Sequence, residues 1–527
     1  MSRKGWKASM DCLHLPQEDV PANLGAQIQM MKDRRKDCYR THPDWVMINY
    51  LEGDFPLVVE HSDNYDVWAK GMYDEWVESW HKEGYGHQLI DTYGSASFDY
   101  WEYATFISRA NALCVLGRYD DALAAYDRAI KTYADASYID SDDKKSMQFP
   151  PRLGAGRVEY LLAGSLDDVQ SSNHYINALS AFTSLRNDML ALNADCSDIC
   201  SHECILTLVG LTRCCDGHDR LAMLESALDL SRSTLDHPTS VYSTYSLEDR
   251  MLDRLYLLSE LAAGAGGDKQ ETYLRQAAEL LAGLTALDQS ACRACNVWSR
   301  KIIMARYYAT LAQCGSEEEG RAALARAVEL YRENSVNAGQ EAFVYDMAKD
   351  AEAALGSLLC REVELGYCDD EAATLEEALK HFDAALGQTG QNALPSRKAA
   401  IMTGKADALR LKAANMSEPE RSAIIKEAIG LLKDAAQMCP PGSYLQTWAA
   451  IRASQAKIMR ELAKNEGNPA KAAAMLDQAL LAMKDRQKVL TEEFSFAAYN
   501  EAKKWMADVT AQRDSKKSSH STSEGGN

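Results

Sequence analysis

No apolar run in the chain approaches the roughly 18 residues that a membrane span requires. No segment alternates apolar and polar residues over several positions, so strands are not expected. The N-terminal stretch MSRKGWKASMDCLHLPQEDV carries basic residues but lacks the apolar core of a secretory signal. Positive charge is in deficit. A net charge of −20 argues against a nucleic-acid backbone or an anionic membrane as the main ligand. The glycine patterns that cradle phosphates, bind dinucleotides or present a serine nucleophile are missing, as is His-Glu-x-x-His. Without export, fourteen cysteines read as reduced thiols, and a cytoplasmic protein with neither cofactor nor metal is expected.

At 527 residues the chain is too long for one core, so several domains or a repeat array is expected. The stretch FISRANALCVLGRYDDALAAYDRAIKTYA, residues 106–134, shows which. Ala110, Leu113 and Leu116 share one face of a first helix, and Gly117 breaks it. Tyr119, Ala122, Tyr126 and Ala129 recur at spacings of three and four along a second helix. Small residues at Ala110, Ala122 and Ala129 allow close approach of the two helices, and the aromatics wedge between neighbouring units. With Phe106, these positions match in register the signature of the tetratricopeptide repeat (TPR), a helical hairpin of about 34 residues, which this stretch resembles.

The second-helix signature returns at Ala178/Phe182/Leu185, Ala378/Phe382/Ala385, Ala428/Leu432/Ala435 and Ala472/Leu476/Ala479, and in weaker form around Ala227, Ala277 and Ala327. Breaks such as AGAGGD, CGSEEEG, GQTGQ and NEGNP separate the elements. The expected fold is therefore all-α: an α-solenoid of about eight TPR-like hairpins over residues 101–484. A helical, acidic and aromatic-rich region precedes it at 1–100. A capping helix follows at 485–514, and the polar tail 515–527 is expected to be disordered.

Residues 41–100 hold twelve acidic residues against Lys70 and Lys82, together with twelve aromatics. Trp68, Met72, Trp76 and Trp80 form one stripe of an amphipathic helix, with Asp74, Glu75 and Glu78 facing elsewhere. The favoured reading is a cap that packs on the first hairpin. The sharper reading is a surface of Asp74, Glu75, Trp76, Glu78 and Trp80 for a cationic ligand.

The TPR resemblance implies a concave groove lined by first helices, with Ala104, Ile107, Asn111 and Cys114 facing it in the first hairpin. It also implies a non-enzymatic scaffold or adaptor that binds a protein or peptide, here one with a basic segment. Of the family's carboxylate-clamp positions Asn111 matches, whereas Ile107 stands where lysine is usual. Two other readings are weaker. Cys196, Cys200, Cys204, Cys214, Cys215, His202 and His218 form a cluster with metal- or redox-capable side chains but without zinc-finger spacing. The lone Cys292-x-x-Cys295 reads as structural. A helical-toroid glycosidase using Asp74, Glu75 and Glu78 is the last alternative. The register itself can be checked. Ala122→Leu should overpack the first hairpin by roughly 1–3 kcal/mol, seen as a lowered Tm; an unchanged Tm would mean that Ala122 is not at the helix contact.

Overall fold

The computed structural model describes residues 29, 32, 43–83, 87–134, 138–192, 197–214, 217–236, 247–287, 294–335, 351–389 and 395–524. Among them are twenty helices and no strand. No helix among the described residues is long and apolar enough to cross a membrane. The chain forms two compact units. The first draws on described residues of 1–163, 173–207 and 238–245, the second on those of 164–172, 208–237 and 246–527.

The first unit begins with α1 (Pro43–Glu52), α2 (Phe55–Asp63) and α3 (Tyr65–Lys82). The hairpin α4 (His87–Val115) and α5 (Tyr119–Ala134) follows, then α6 (Ser141–Ala163) and most of α7 (Asp168–Ala191) and α8 (Ser197–Leu211). Gly117 ends α4 as its composition requires. At φ +72° it occupies the left-handed region, its N–H donates to the Cys114 carbonyl (3.1 Å), and the Arg118 N–H donates to that of Leu113 (2.9 Å). Ala110, Leu113, Ala122, Tyr126 and Ala129 are fully buried in the hairpin. Leu116 is not. It falls in the turn beyond the last helical residue and is 41% exposed.

Helices α1 to α3 share one core with α4 and α5. Val46, Phe55, Val58, Tyr65 and Trp68 cluster with Phe106, Ala110 and Leu113. Trp68 meets Trp101 edge-on (5.3 Å), and Tyr65 meets Phe106 the same way (5.8 Å). Arg109 donates to the Val59 carbonyl (3.1 Å) and to Ser62 Oγ (2.7 Å), locking α4 to α2. The division expected near residue 100 is crossed by α4, a single helix of 29 residues. No proline or glycine run near that point interrupts its backbone.

The second unit holds α9 (Gly217–Asp236) and five hairpins. These are α10 (Leu247–Gly264) with α11 (Gly267–Ala286), α12 (Ala294–Cys314) with α13 (Glu317–Ser335), and α14 (Ala351–Leu365) with α15 (Glu371–Gln388). Next come α16 (Pro395–Ala414) with α17 (Glu420–Met438), and α18 (Leu445–Asn465) with α19 (Pro469–Val489); α20 (Phe496–Glu524) ends the chain. Among the described residues seven helix pairs pack as hairpins, α4–α5 and α6–α7 in the first unit and the five of the second, so the array is a helical-hairpin repeat, as expected. The signature residues Ala178, Phe182, Ala378, Phe382, Ala428 and Ala472 are all buried at helix contacts.

Glycines on the first helices receive the aromatics of the second. A Cβ at Gly156 would lie 2.6 Å from the Phe182 ring. Phe382 of α15 sits between two glycines, Gly356 of its own hairpin (3.0 Å to a built Cβ) and Gly404 of the next (2.5 Å). Real Cβ contacts are not as short as those at Gly156 and Gly404, and 3.0 Å is tight, so the aromatic wedge and the missing side chains go together.

The C-terminal end differs from expectation at two points. Residues 485–489 belong to α19, and the chain turns at 490–495 before α20. The Phe494 N–H donates to Thr491 Oγ1 (3.3 Å), and Ser495 Oγ accepts from the Ala498 N–H (3.4 Å), capping α20. The helix then runs to Glu524 rather than ending at residue 514, with Lys517 (3.0 Å) and Arg513 (3.2 Å) tied to Asp477 on α19. The last elements of this unit also meet its first. Ser495 Oγ donates to the Ala263 carbonyl (3.2 Å), and Arg220 donates to that of Phe494 (3.2 Å). The backbone N–H of Leu445 donates to Asp168 (2.8 Å).

Gly404→Ala should drive a methyl into Phe382 and cost roughly 1–3 kcal/mol, measured by urea unfolding. Phe382→Leu in the same chain should recover part of that loss. Equal stability of Gly404→Ala and wild type would contradict the wedge.

Candidate functional site

The first helices of three consecutive hairpins in the second unit line a cavity of ≈ 500 Å³. Arg306, Ala309, Thr310 and Gln313 enter it from α12 at helical spacings of three, one and three residues. Ala354, Ser357, Leu358, Arg361 and Leu365 repeat the pattern on α14. Glu260 and Ala263 come from α10, Leu324 and Tyr331 from α13, Lys457 from α18 and Glu501 from α20. Space exists because alanine, serine and threonine stand where bulkier residues would fill the stripe.

The wall of the cavity is a chain of ion pairs. Glu260 bridges Arg306 (2.7 Å) and Arg220 (2.9 Å). Arg306 lies over the Tyr256 ring (5.1 Å), and Arg220 over Phe494 (4.9 Å). Burial pushes the Glu260 carboxyl pKa up, but Arg306 and Arg220 outweigh it and hold it below the usual range. Further along, Glu364 accepts from Arg410 (2.6 Å) and Lys457 (3.0 Å), with Arg361 at 3.5 Å. Arg361 also donates to Glu501 (3.0 Å). Burial opposes the charged form of Glu364, yet Lys457 and Arg410 prevail and set its pKa at about 2, against an ordinary 4.5. The arrangement presents paired guanidinium and ammonium groups beside apolar and small side chains.

The positions expected to face a groove in the first hairpin are not equivalent. Ala104 and Ile107 are half-buried, whereas Asn111 and Cys114 are buried. Asn111 donates to Tyr50 Oη (3.1 Å) and accepts from Tyr126 Oη, so both ends of its amide are spent inside the core. The reason is α1, whose Tyr50 covers that part of α4. On α3, Asp74, Glu75 and Glu78 are exposed, and Glu78 pairs with Lys82 one turn on (2.8 Å). The side chains of Trp76 and Trp80 lie outside the described residues.

Cys200 and Cys204 are buried in α8. Burial raises the Cys204 thiol to about 11, which disfavours the thiolate that a metal or a redox reaction needs. Cys196, Cys215 and the His218 side chain lie outside the described residues, as do Cys292 and the Cys295 side chain. Among the described residues no group of three or more His, Cys, Asp or Glu side chains could hold a metal ion.

The weaker signature around Ala327 implies a first helix before it, but the inward face of that helix, α12, went unread. The signal was the run Arg306, Ala309, Thr310, Gln313, where a core stripe would carry leucines; Ala354, Ser357, Leu358 and Arg361 repeat it with one leucine.

No family model matches the chain, and no curated protein matches it. Solved structures that align over nearly their whole lengths include the following two. The yeast Tom70 is 10% identical, with 93% of this chain and 97% of that one covered and a TM-score of 0.31. A circular tandem repeat protein with novel repeat topology is 12% identical, with 95% and 99% covered and a TM-score of 0.17. At these scores neither bears on function, and the fold class rests on the helix pairing itself.

The Glu364 shift has a defined sign. A carboxyl whose folded pKa lies below its unfolded value adds stability above the unfolded value and loses it as pH falls. Glu364→Gln should therefore be less stable than wild type above about pH 4.5, by about 1–2 kcal/mol after solvent screening. The two should converge as pH approaches about 2. Urea unfolding across that range measures the gap, and a gap that stays constant would show that Glu364 is not held by its cations.

Proposed function

We propose that this chain is a non-enzymatic scaffold that binds a segment of a protein partner along the first helices of its hairpins. The observation that carries the reading is the cavity on α10, α12 and α14. Its lining comes from the same face of successive hairpins, the surface on which hairpin repeats hold extended ligands. The TPR-like signature of residues 106–134 supports the same reading by analogy. That the partner carries a basic segment belongs to the same proposal, supported by the exposed acids Asp74, Glu75 and Glu78 on α3. A cytoplasmic location accords with the cysteine content and belongs to the same proposal.

Selection of random displayed peptides on the full-length chain tests it. Enriched peptides should bind wild type and lose most of their affinity for Ala309→Arg and Ala354→Arg, which place bulk in the cavity. Glu75→Lys, on α3, should leave peptides held in the cavity bound. No enrichment, or enriched peptides indifferent to both arginine substitutions, would sink the proposal.

A further inference from the structure

The ion pairs around the cavity are uneven in one respect. Glu260 and Glu364 each lie among two or more cations on neighbouring helices, and both are less than a quarter exposed. Glu501 has a different setting. It is 55% exposed, it comes from the terminal helix α20, it pairs with Arg361, and it also feels the charge of Arg486. Arg361 itself is 39% exposed and Lys457 31%, so solvent reaches both within the cavity. An exposed ion pair of this kind contributes little, about 0–1 kcal/mol, and is readily exchanged.

We propose that the cavity is a subsite for an acidic residue of a bound peptide, whose carboxylate takes Arg361 in the place now held by Glu501, with the Glu364-paired Lys457 beside it. This rests on the peptide-binding reading above and specifies its chemistry. The charges favour an anion. Arg306, Arg361 and Lys457 line the cavity against Glu260 and Glu501. Moving Glu501 aside leaves two more cations than acids, in a chain whose net charge is −20. The planar guanidinium of Arg361 can meet a carboxylate with two parallel hydrogen bonds. The depressed Glu364 carboxyl reports the same positive surroundings. Leu324, Leu358 and Leu365 line the cavity beside these cations and offer an apolar neighbour to the acidic side chain. That combination suits a peptide, in which an acidic and an apolar residue are linked, better than a small free anion. Glu501 thus acts as an internal stand-in that competes with the ligand.

The probe is a fluorescein-labelled decapeptide of alternating Glu and Leu, compared with Gln–Leu and Lys–Leu counterparts by anisotropy on the full-length chain. Glu–Leu should bind most tightly. Glu501→Gln removes the competitor and should tighten it, up to about fivefold. Arg361→Ala should weaken it by about tenfold or more. The Glu501→Gln arm keeps the proposal testable if Arg361→Ala fails to fold. Unchanged or weaker binding by Glu501→Gln would overturn the proposal. Equal binding of Gln–Leu, abolished by Ala354→Arg, would overturn acidic recognition and leave the peptide-binding reading intact. Failure of Glu–Leu to bind while display-selected peptides do would have the same meaning. Glutarate should compete only weakly; displacement as effective, per carboxylate, as that by the unlabelled peptide would assign the site to a small dicarboxylate instead.

Discussion

Phe382 lies between two hairpins because Gly404 has no side chain and Gly356 leaves the ring room. The rest of the array depends on contacts of this kind. Ala122, Ala178, Ala378, Ala428 and Ala472 let the helices of a pair approach closely, and an aromatic or leucine one turn later fills the seam. Because each hairpin is held by its neighbours, stability is built from repeated local interfaces rather than from one central core. The same contacts set which face of each first helix is left over. In the second unit that remaining face, on α10, α12 and α14, is where small and charged side chains line the cavity.

The charges in that cavity have a structural and a binding aspect that cannot be separated. Arg306, Arg410 and Lys457 are drawn from different hairpins and are held by Glu260 and Glu364. Unpaired, such groups would be costly to remove from water; paired, they stitch neighbouring helices and keep their charge. The carboxyls are held in their ionised form by the cations around them. The cavity therefore presents fixed charge at ordinary pH instead of titrating there. Glu501, which comes from α20, is the more exposed member. The anchorage of α20 lies elsewhere, in Ala502 and Val509 against α18 and α19 and in the contacts of residues 494–496 with α9 and α10.

Much of the fold was legible along the chain. The Ala-aromatic-Ala spacing placed the second helices, and Gly117 marked the turn of the first hairpin, because close packing and positive φ admit few residue types. The glycines that receive the aromatics were missed. They lie on the partner helix, and nothing local in RLGAGRVEYLL or IMTGKADALR says that an aromatic some twenty to thirty residues away will fill the space. The end of the chain was misjudged for a related reason. A polar segment such as KKSSHSTSE reads as disordered by composition, whereas the helix leading into it is anchored by Asp477 from the preceding helix.

Asn111 and Arg361 mark the boundary between the two kinds of information. Both stand on first helices, at positions that a repeat pattern assigns to the inner face. Asn111 is sealed into the core because Tyr50 of α1 covers it, and Arg361 remains open to solvent beside Glu501. The sequence by itself determined the all-α class, the hairpin repeat and the register of its alanines, since those follow from periodicities within one or two helices. Which inner faces are covered and which form a charged cavity was decided only by the tertiary structure. Those contacts join residues tens to hundreds of positions apart, and no local pattern records them.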